Sequence, residues 1–187
     1  GKSTLLKSII AFLDFSRGQI FYDDIEINQL SLLWLRQNLI YVPQEPKFVD
    51  GSLLDNLIGS REIKKSDMHT ILENSDLQNF VNSSPEGITM QLNNRGEDLP
   101  FGIRKRIALA RALANDGKLV VLDEPTETLD DKGRSSIYSL IIDFLHKKKT
   151  IIISTQDNEI IKTADYIIDL DVKPVPLVTD VKKSRRS

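Results

Sequence analysis

Two short clusters in this 187-residue chain carry the residue types that phosphate chemistry needs. Gly1-Lys2-Ser3-Thr4 stands at the start of an apolar run, residues 4 to 13, whose spacing is helical. In a loop of that kind, backbone N–H groups and the helix N-terminus wrap a polyphosphate, the lysine reaches the β- and γ-phosphates, and a hydroxyl ligates Mg²⁺. Lys2 and Ser3 take those two roles. Alone the signal is modest, because a Gly-Lys-[Ser/Thr] triplet arises by chance in roughly one chain in ten of this length. The second cluster is Leu119-Val120-Val121-Leu122-Asp123-Glu124-Pro125, a buried-strand run that delivers two carboxylates at its C-terminal end. In a doubly wound sheet that end faces the ligand crevice. Asp123 can hold the Mg²⁺ shell, and Glu124 can orient or deprotonate an attacking water. An isolated Asp-Glu after a strand is ordinarily a polar turn; coupled to the phosphate loop, it gains a second meaning.

The elements that must position these clusters alternate. After the first helix, residues 19–22 and 25–27 read as short strands around Asp23-Asp24. A helix over 31–38 leads to a strand, Leu39-Ile40-Tyr41-Val42, ended by Pro43. Residues from about 50 to 116 look mostly helical, with roughly 50–110 as an insertion. Strands follow at 118–122, 150–154 and 166–170, with helices at 132–147 and 157–164 between them. Such alternation implies an α/β, doubly wound, parallel sheet. The tail from residue 172, with Lys182-Lys183-Ser184-Arg185-Arg186, reads as an exposed and solvated extension, with anionic lipid as the alternative contact.

Composition excludes several classes. A net charge of −2 gives no basic field for nucleic acid. The absence of cysteine removes disulfide frameworks and thiolate metal sites, and fits a reducing compartment. No apolar run nears the ~20 residues of a membrane span. The chain opens on Gly-Lys-Ser-Thr with no start methionine and no secretory signal, so the phosphate loop is expected to lack its N-terminal part.

Further motifs narrow the reading. In order they are Tyr41-Val42-Pro43-Gln44-Glu45-Pro46, then Phe48-Val49-Asp50-Gly51-Ser52-Leu53-Leu54-Asp55-Asn56-Leu57, Asn94-Arg95-Gly96, Thr126 to Asp130, and Ala164 to Leu170. Their order and spacing resemble the nucleotide-binding domains of ABC transporters over residues 1–171, and the segment after Gln44 resembles the exporter branch. The resemblance implies a P-loop NTPase core with a mostly parallel sheet plus a helical subdomain, binding ATP and Mg²⁺. It makes Gln44 the Q-loop glutamine that approaches Mg²⁺ and the attacking water. Asp130, with Leu129, falls in the D-loop.

Two positions depart from the family. Where the signature Leu-Ser-Gly-Gly-Gln stands, this chain has Leu99-Pro100-Phe101-Gly102-Ile103. In the family this loop caps the γ-phosphate held by the opposite subunit. Pro100 brings neither hydroxyl nor N–H, Phe101 adds a side chain where glycine allows close approach, and Ile103 removes an amide. At the switch histidine the aligned triplet is Ser154-Thr155-Gln156; Thr155 can donate a hydrogen bond but supplies no imidazole. His69 and His146 sit in predicted helices as surface residues. Because these domains pair head to tail, the departures imply a non-identical partner or slow hydrolysis. The implied partners are a second nucleotide-binding domain and membrane-spanning helices, with the domain on the cytoplasmic face of a membrane, the bacterial inner membrane first. The alternatives are a soluble ABC-type ATPase and an ATP-binding regulator with little turnover.

Overall fold

The computed structural model describes residues 1–59 and 61–181, and the basic run at 182–186 lies outside them. Contacts divide the chain into two units, residues 1–35 with 154–187, and residues 36–153.

In the first unit α1 (Lys2–Ile9) starts at Gly1 and buries Leu6. It stops short of residue 13 because Ala11 adopts φ 56°. The Ala11 and Phe12 N–H groups turn back to the Ser8 and Lys7 carbonyls at 3.1 and 2.8 Å, a Schellman closure with alanine where glycine is usual. The antiparallel pair β1 (Phe21–Tyr22) and β2 (Ile25–Glu26) turns through Asp23 at φ 51°, as the Asp-Asp dipeptide predicts. The Tyr22 hydroxyl donates to the Ile9 carbonyl and ties this hairpin to α1. α2 (Leu32–Asn38), whose last residues from Arg36 on belong to the second unit, opens where the Ser31 hydroxyl oxygen accepts the Trp34 N–H at 3.1 Å.

In the second unit, β3 (Leu39–Val42) leads through Gln44 into a helical stretch. β4 (Gly51–Ser52), α3 (Leu53–Ile58), α4 (Lys65–Asn74), α5 (Gln78–Ser83), β5 (Gln91–Leu92) and α6 (Phe101–Leu113) follow. The expected helices are there, and β4 and β5 form an antiparallel pair that the sequence pattern did not reveal. Two-residue strands carry too little alternation to register. Phe48, Leu53, Leu57, Leu77, Leu92 and Ile107 share one buried cluster. Each such side chain contributes about 1.5–3 kcal/mol of transfer free energy. Ser52 and Asp55 form a capping box on α3. Buried Asn56 bridges the Val49 backbone from both sides, its Oδ1 accepting and its Nδ2 donating at 2.9 Å. The Asn94-Arg95-Gly96 turn docks beneath Phe48, where a Cβ on Gly96 would come within 2.5 Å of the ring. Glycine is therefore required.

β6 (Leu119–Asp123) pairs in parallel with β3, Leu39 opposite Leu119 through Val42 opposite Leu122. It sits one residue later than predicted. α7 (Asp131–His146) buries Ile137, Leu140, Ile141 and Phe144. β7 (Thr150–Ser154) lies on the other side of β6, giving the order β3-β6-β7. The turn before β6 presses on the end of α2: a Cβ on Gly117 would meet the Asn38 carbonyl at 2.9 Å.

The chain then returns to the first unit through α8 (Asn158–Thr163), β8 (Tyr166–Asp169) and β9 (Leu177–Asp180). β9 pairs antiparallel with β8, Asp169 opposite Leu177 through Tyr166 opposite Asp180. Within the stretch expected as an exposed extension from 172, Leu177–Asp180 thus pairs back onto β8. The β-branched and leucine content of Leu177-Val178-Thr179 favours a strand, although those three residues remain exposed.

Candidate functional site

The N-terminus of α1 holds groups whose chemistry suits an anion. Its N-cap is Gly1, no side chain caps it, and its first turn holds no acid. Helix geometry leaves the first N–H groups without intrahelical acceptors, beside the Lys2 ammonium and the Ser3 and Thr4 hydroxyls. Lys2 and Ser3 are half-buried, Gly1 and Thr4 exposed. This donor set fits a polyphosphate.

In the second unit β6 delivers Asp123 at 2 % exposure. Glu124 follows at φ 44°, a left-handed backbone that non-glycine residues adopt at a cost of about 1–3 kcal/mol and that clusters at functional sites. Burial, and then the Asp123 charge, raise the Tyr41 hydroxyl above the ordinary tyrosine range. Gln44, half-buried beyond the end of β3, donates from Nε2 to Glu127 Oε2 at 2.7 Å. The parallel pairing of β3 and β6 thus brings the Gln44 loop beside the turn that follows the acids.

Lys105 on α6 is only 4 % exposed, and its Nζ donates to the Glu124 carbonyl at 3.1 Å. Burial lowers its pKa from the ordinary lysine value. The charges of Glu127, Asp123, Glu124 and Glu45 act the other way, in that order. Lys105, Glu127 and Glu45 were not among the predicted site residues. Lys105 stands in the Arg104-Lys105-Arg106 run after the signature position, where nothing in the sequence sets it apart from its neighbours. Glu127 lay inside the D-loop resemblance, and a third acid three residues after Glu124 was the available signal.

The remaining predicted residues fall as follows. Pro100 is the N-cap of α6, with φ −53° and ψ 141°, and no side chain caps that helix. Leu99 and Ile103 pack against the helical cluster, while Pro100 and Gly102 are exposed. The Phe101 ring lies 5.3 Å from the Arg104 guanidinium and 5.5 Å from the Lys105 ammonium. Asp130 caps α7, accepting the Gly133 N–H at 2.8 Å, and its other oxygen lies 3.7 Å from Arg106. Arg106 also pairs with Asp76 at 3.0 Å. The Thr155 hydroxyl oxygen accepts the Asp157 N–H at 3.0 Å, in a turn leading into α8. His69 on α4 and His146 at the end of α7 are exposed, as predicted. Among the described residues no three His, Cys, Asp or Glu side chains form a ready metal cluster.

An α/β fold with a parallel strand pair, a glycine-led helix start carrying Lys2 and Ser3, and a buried strand ending in Asp123-Glu124 define a P-loop nucleotide-binding fold. Residues 1–127 match the family described as ABC transporter, and the chain belongs to it. It is 35% identical over 91% of its length to the Lactococcin-G-processing and transport ATP-binding protein LagD of Lactococcus lactis, of which it covers 24%. It is 31% identical over 91% of its length to an ATP-dependent lipid A-core flippase of Xylella fastidiosa, covering 29% of that protein. The multidrug resistance protein pgp-1 of Caenorhabditis elegans is 31% identical over 90% of the chain, which covers 13% of it. The chain therefore spans under a third of the length of these curated relatives. In fold it is similar to a bacterial Atm1-family ABC exporter solved with ATP bound, with TM-score 0.84 at 24% identity over the whole chain and 33% of that protein. Among the described residues no helix is long and apolar enough to cross a membrane.

Proposed function

We propose that this chain is the ATP-binding and hydrolysing domain of an ABC exporter, powering transport across a membrane through nucleotide-dependent pairing of two such domains. The observation that carries the reading is the end of β6, with Asp123 buried, Glu124 in a strained backbone and Gln44 donating a hydrogen bond to Glu127 in the turn that follows them. The transport names of the relatives support the exporter form over a soluble ABC-type ATPase.

In this reading Gly1, Lys2, Ser3 and Thr4 bind the phosphates through backbone N–H groups, ammonium and hydroxyls. Ser3, Asp123 and Gln44 would hold Mg²⁺, which when bound neutralises charge on the phosphate oxygens. Glu124 orients and deprotonates the attacking water, Gln44 helps align it, and Thr155 donates a hydrogen bond at the switch position. Leu99, Pro100, Phe101 and Gly102 face the nucleotide of a partner domain, with Asp130 close by in the D-loop. Domain boundaries at 1–171, with a helical subdomain over 50–110, belong to the same proposal. So do fusion or docking to membrane-spanning helices, a place on the cytoplasmic face of a membrane, the bacterial inner membrane first, and no role for nucleic acid.

Pro100 as an N-cap without hydroxyl, and Phe101 turned onto its own helix, favour a heterodimeric arrangement in which an intact signature comes from another chain. The same observation supports a second reading, an ATP-binding regulator with little turnover. Glu124→Gln decides between them: an ATPase loses about 10²–10⁴-fold in turnover while keeping ATP affinity, and a regulator shows no change in steady-state phosphate release.

A further inference from the structure

Lys105 carries chemistry outside the predicted site residues. Its side chain is buried, its ammonium is hydrogen-bonded to the carbonyl of a residue in a left-handed backbone, and it feels the charges of carboxylates from two segments, Glu45 and the 123–127 strand end and turn. A buried lysine needs compensation of this kind. The direction of its hydrogen bond matters: capturing the Glu124 carbonyl fixes the peptide plane from which the Glu124 side chain departs. Phe101, four residues earlier on α6 and so on the same face, lays its ring near the same cation. The aromatic that spoils this helix start for a partner's phosphate is thus in contact with the group that holds its own chain's acid.

We propose that Lys105 is a positioning residue for Glu124, and that the α6 N-terminus serves the acidic strand end of its own chain through Phe101 and Lys105. The inference rests on Glu124 being the general base. It also means that replacing Phe101 perturbs the site in cis as well as in trans.

The test uses the full chain with its partner domain, measuring ATP affinity by titration and turnover by phosphate release. Lys105→Met keeps the volume and removes donor and charge. The expected result is a loss of turnover of about tenfold or more, with ATP affinity within about threefold, because the base is misplaced while the phosphate loop is untouched. Lys105→Arg, a cationic donor, recovers most of that loss, and Phe101→Leu loses a few-fold. Turnover of Lys105→Met within about twofold of wild type overturns the inference, as does an equal fall in affinity and turnover, which marks a merely structural lysine. If Lys105→Met does not fold, Lys105→Gln carries the same thresholds. A wild-type chain that neither binds nor hydrolyses ATP overturns the functional reading itself, and so is distinct from a failure of Lys105 alone.

Discussion

Two helix N-termini in this chain resemble sites that meet phosphate in the family, and they are built differently. α1 begins at a glycine, followed by Lys2 and two hydroxyls, in a helix of 8 residues. α6 begins at Pro100 and Phe101 in a helix of 13 residues. Neither has an acid in its first turn or a capping side chain, so the backbone offers both ends the same partial positive charge. The longer helix gains little, because the effect is concentrated in the terminal turn. What separates them is side-chain chemistry. At α1 the side chains add donors, whereas at α6 they remove a hydroxyl and add a ring. A helix dipole is therefore common property, and the residues around it decide whether an anion is gripped.

The comparison breaks first at Lys2. Lys2→Met removes charge-assisted hydrogen bonds worth about 1.5–3 kcal/mol, so ATP affinity should fall roughly 10- to 100-fold in a nucleotide titration. An unchanged affinity would reduce α1 to a bare helix end like α6. A smaller effect is expected in trans. A chain carrying Lys2→Met with residues 99–103 replaced by Leu-Ser-Gly-Gly-Gln has no working phosphate loop but a restored cap. Mixed with wild type, it should raise phosphate release about tenfold above either chain alone. Turnover no higher than that of the wild-type homodimer would mean that the α6 end was never limiting.

Much of this was legible in the sequence, for identifiable reasons. Strand β7 lies at 150–154 as predicted because Ile151-Ile152-Ile153 is β-branched and bounded by polar residues. Asp123-Glu124 could be placed because a buried parallel strand must end at the crevice. α1 was drawn four residues too long, since the apolar spacing continues past Ala11 and nothing in an alanine announces a left-handed turn. β9 was missed because its partner β8 is distant by a loop and both are too exposed to alternate cleanly. Lys105 and Glu127 were missed for a deeper reason. Their significance is three-dimensional, created where α6 passes the end of β6.

The finest test of the comparison lies in the cap itself. Pro100→Ser places a hydroxyl at an N-cap whose extended backbone serine adopts without strain. Its oxygen can accept an N–H from the first turn of α6, a gain of about 1 kcal/mol. Against this, losing proline frees the unfolded chain and costs about 0.4–1 kcal/mol. The two nearly cancel, so the urea midpoint should move by the equivalent of about 0.5 kcal/mol or less, upward if the cap forms. That small number carries information. A destabilisation well beyond 1 kcal/mol would mean that proline is needed to hold the loop before α6, making Pro100 a structural choice. A neutral or positive change would mean that the fold does not require it, leaving its lost hydroxyl and N–H as matters of phosphate recognition, the property that sets α6 apart from α1.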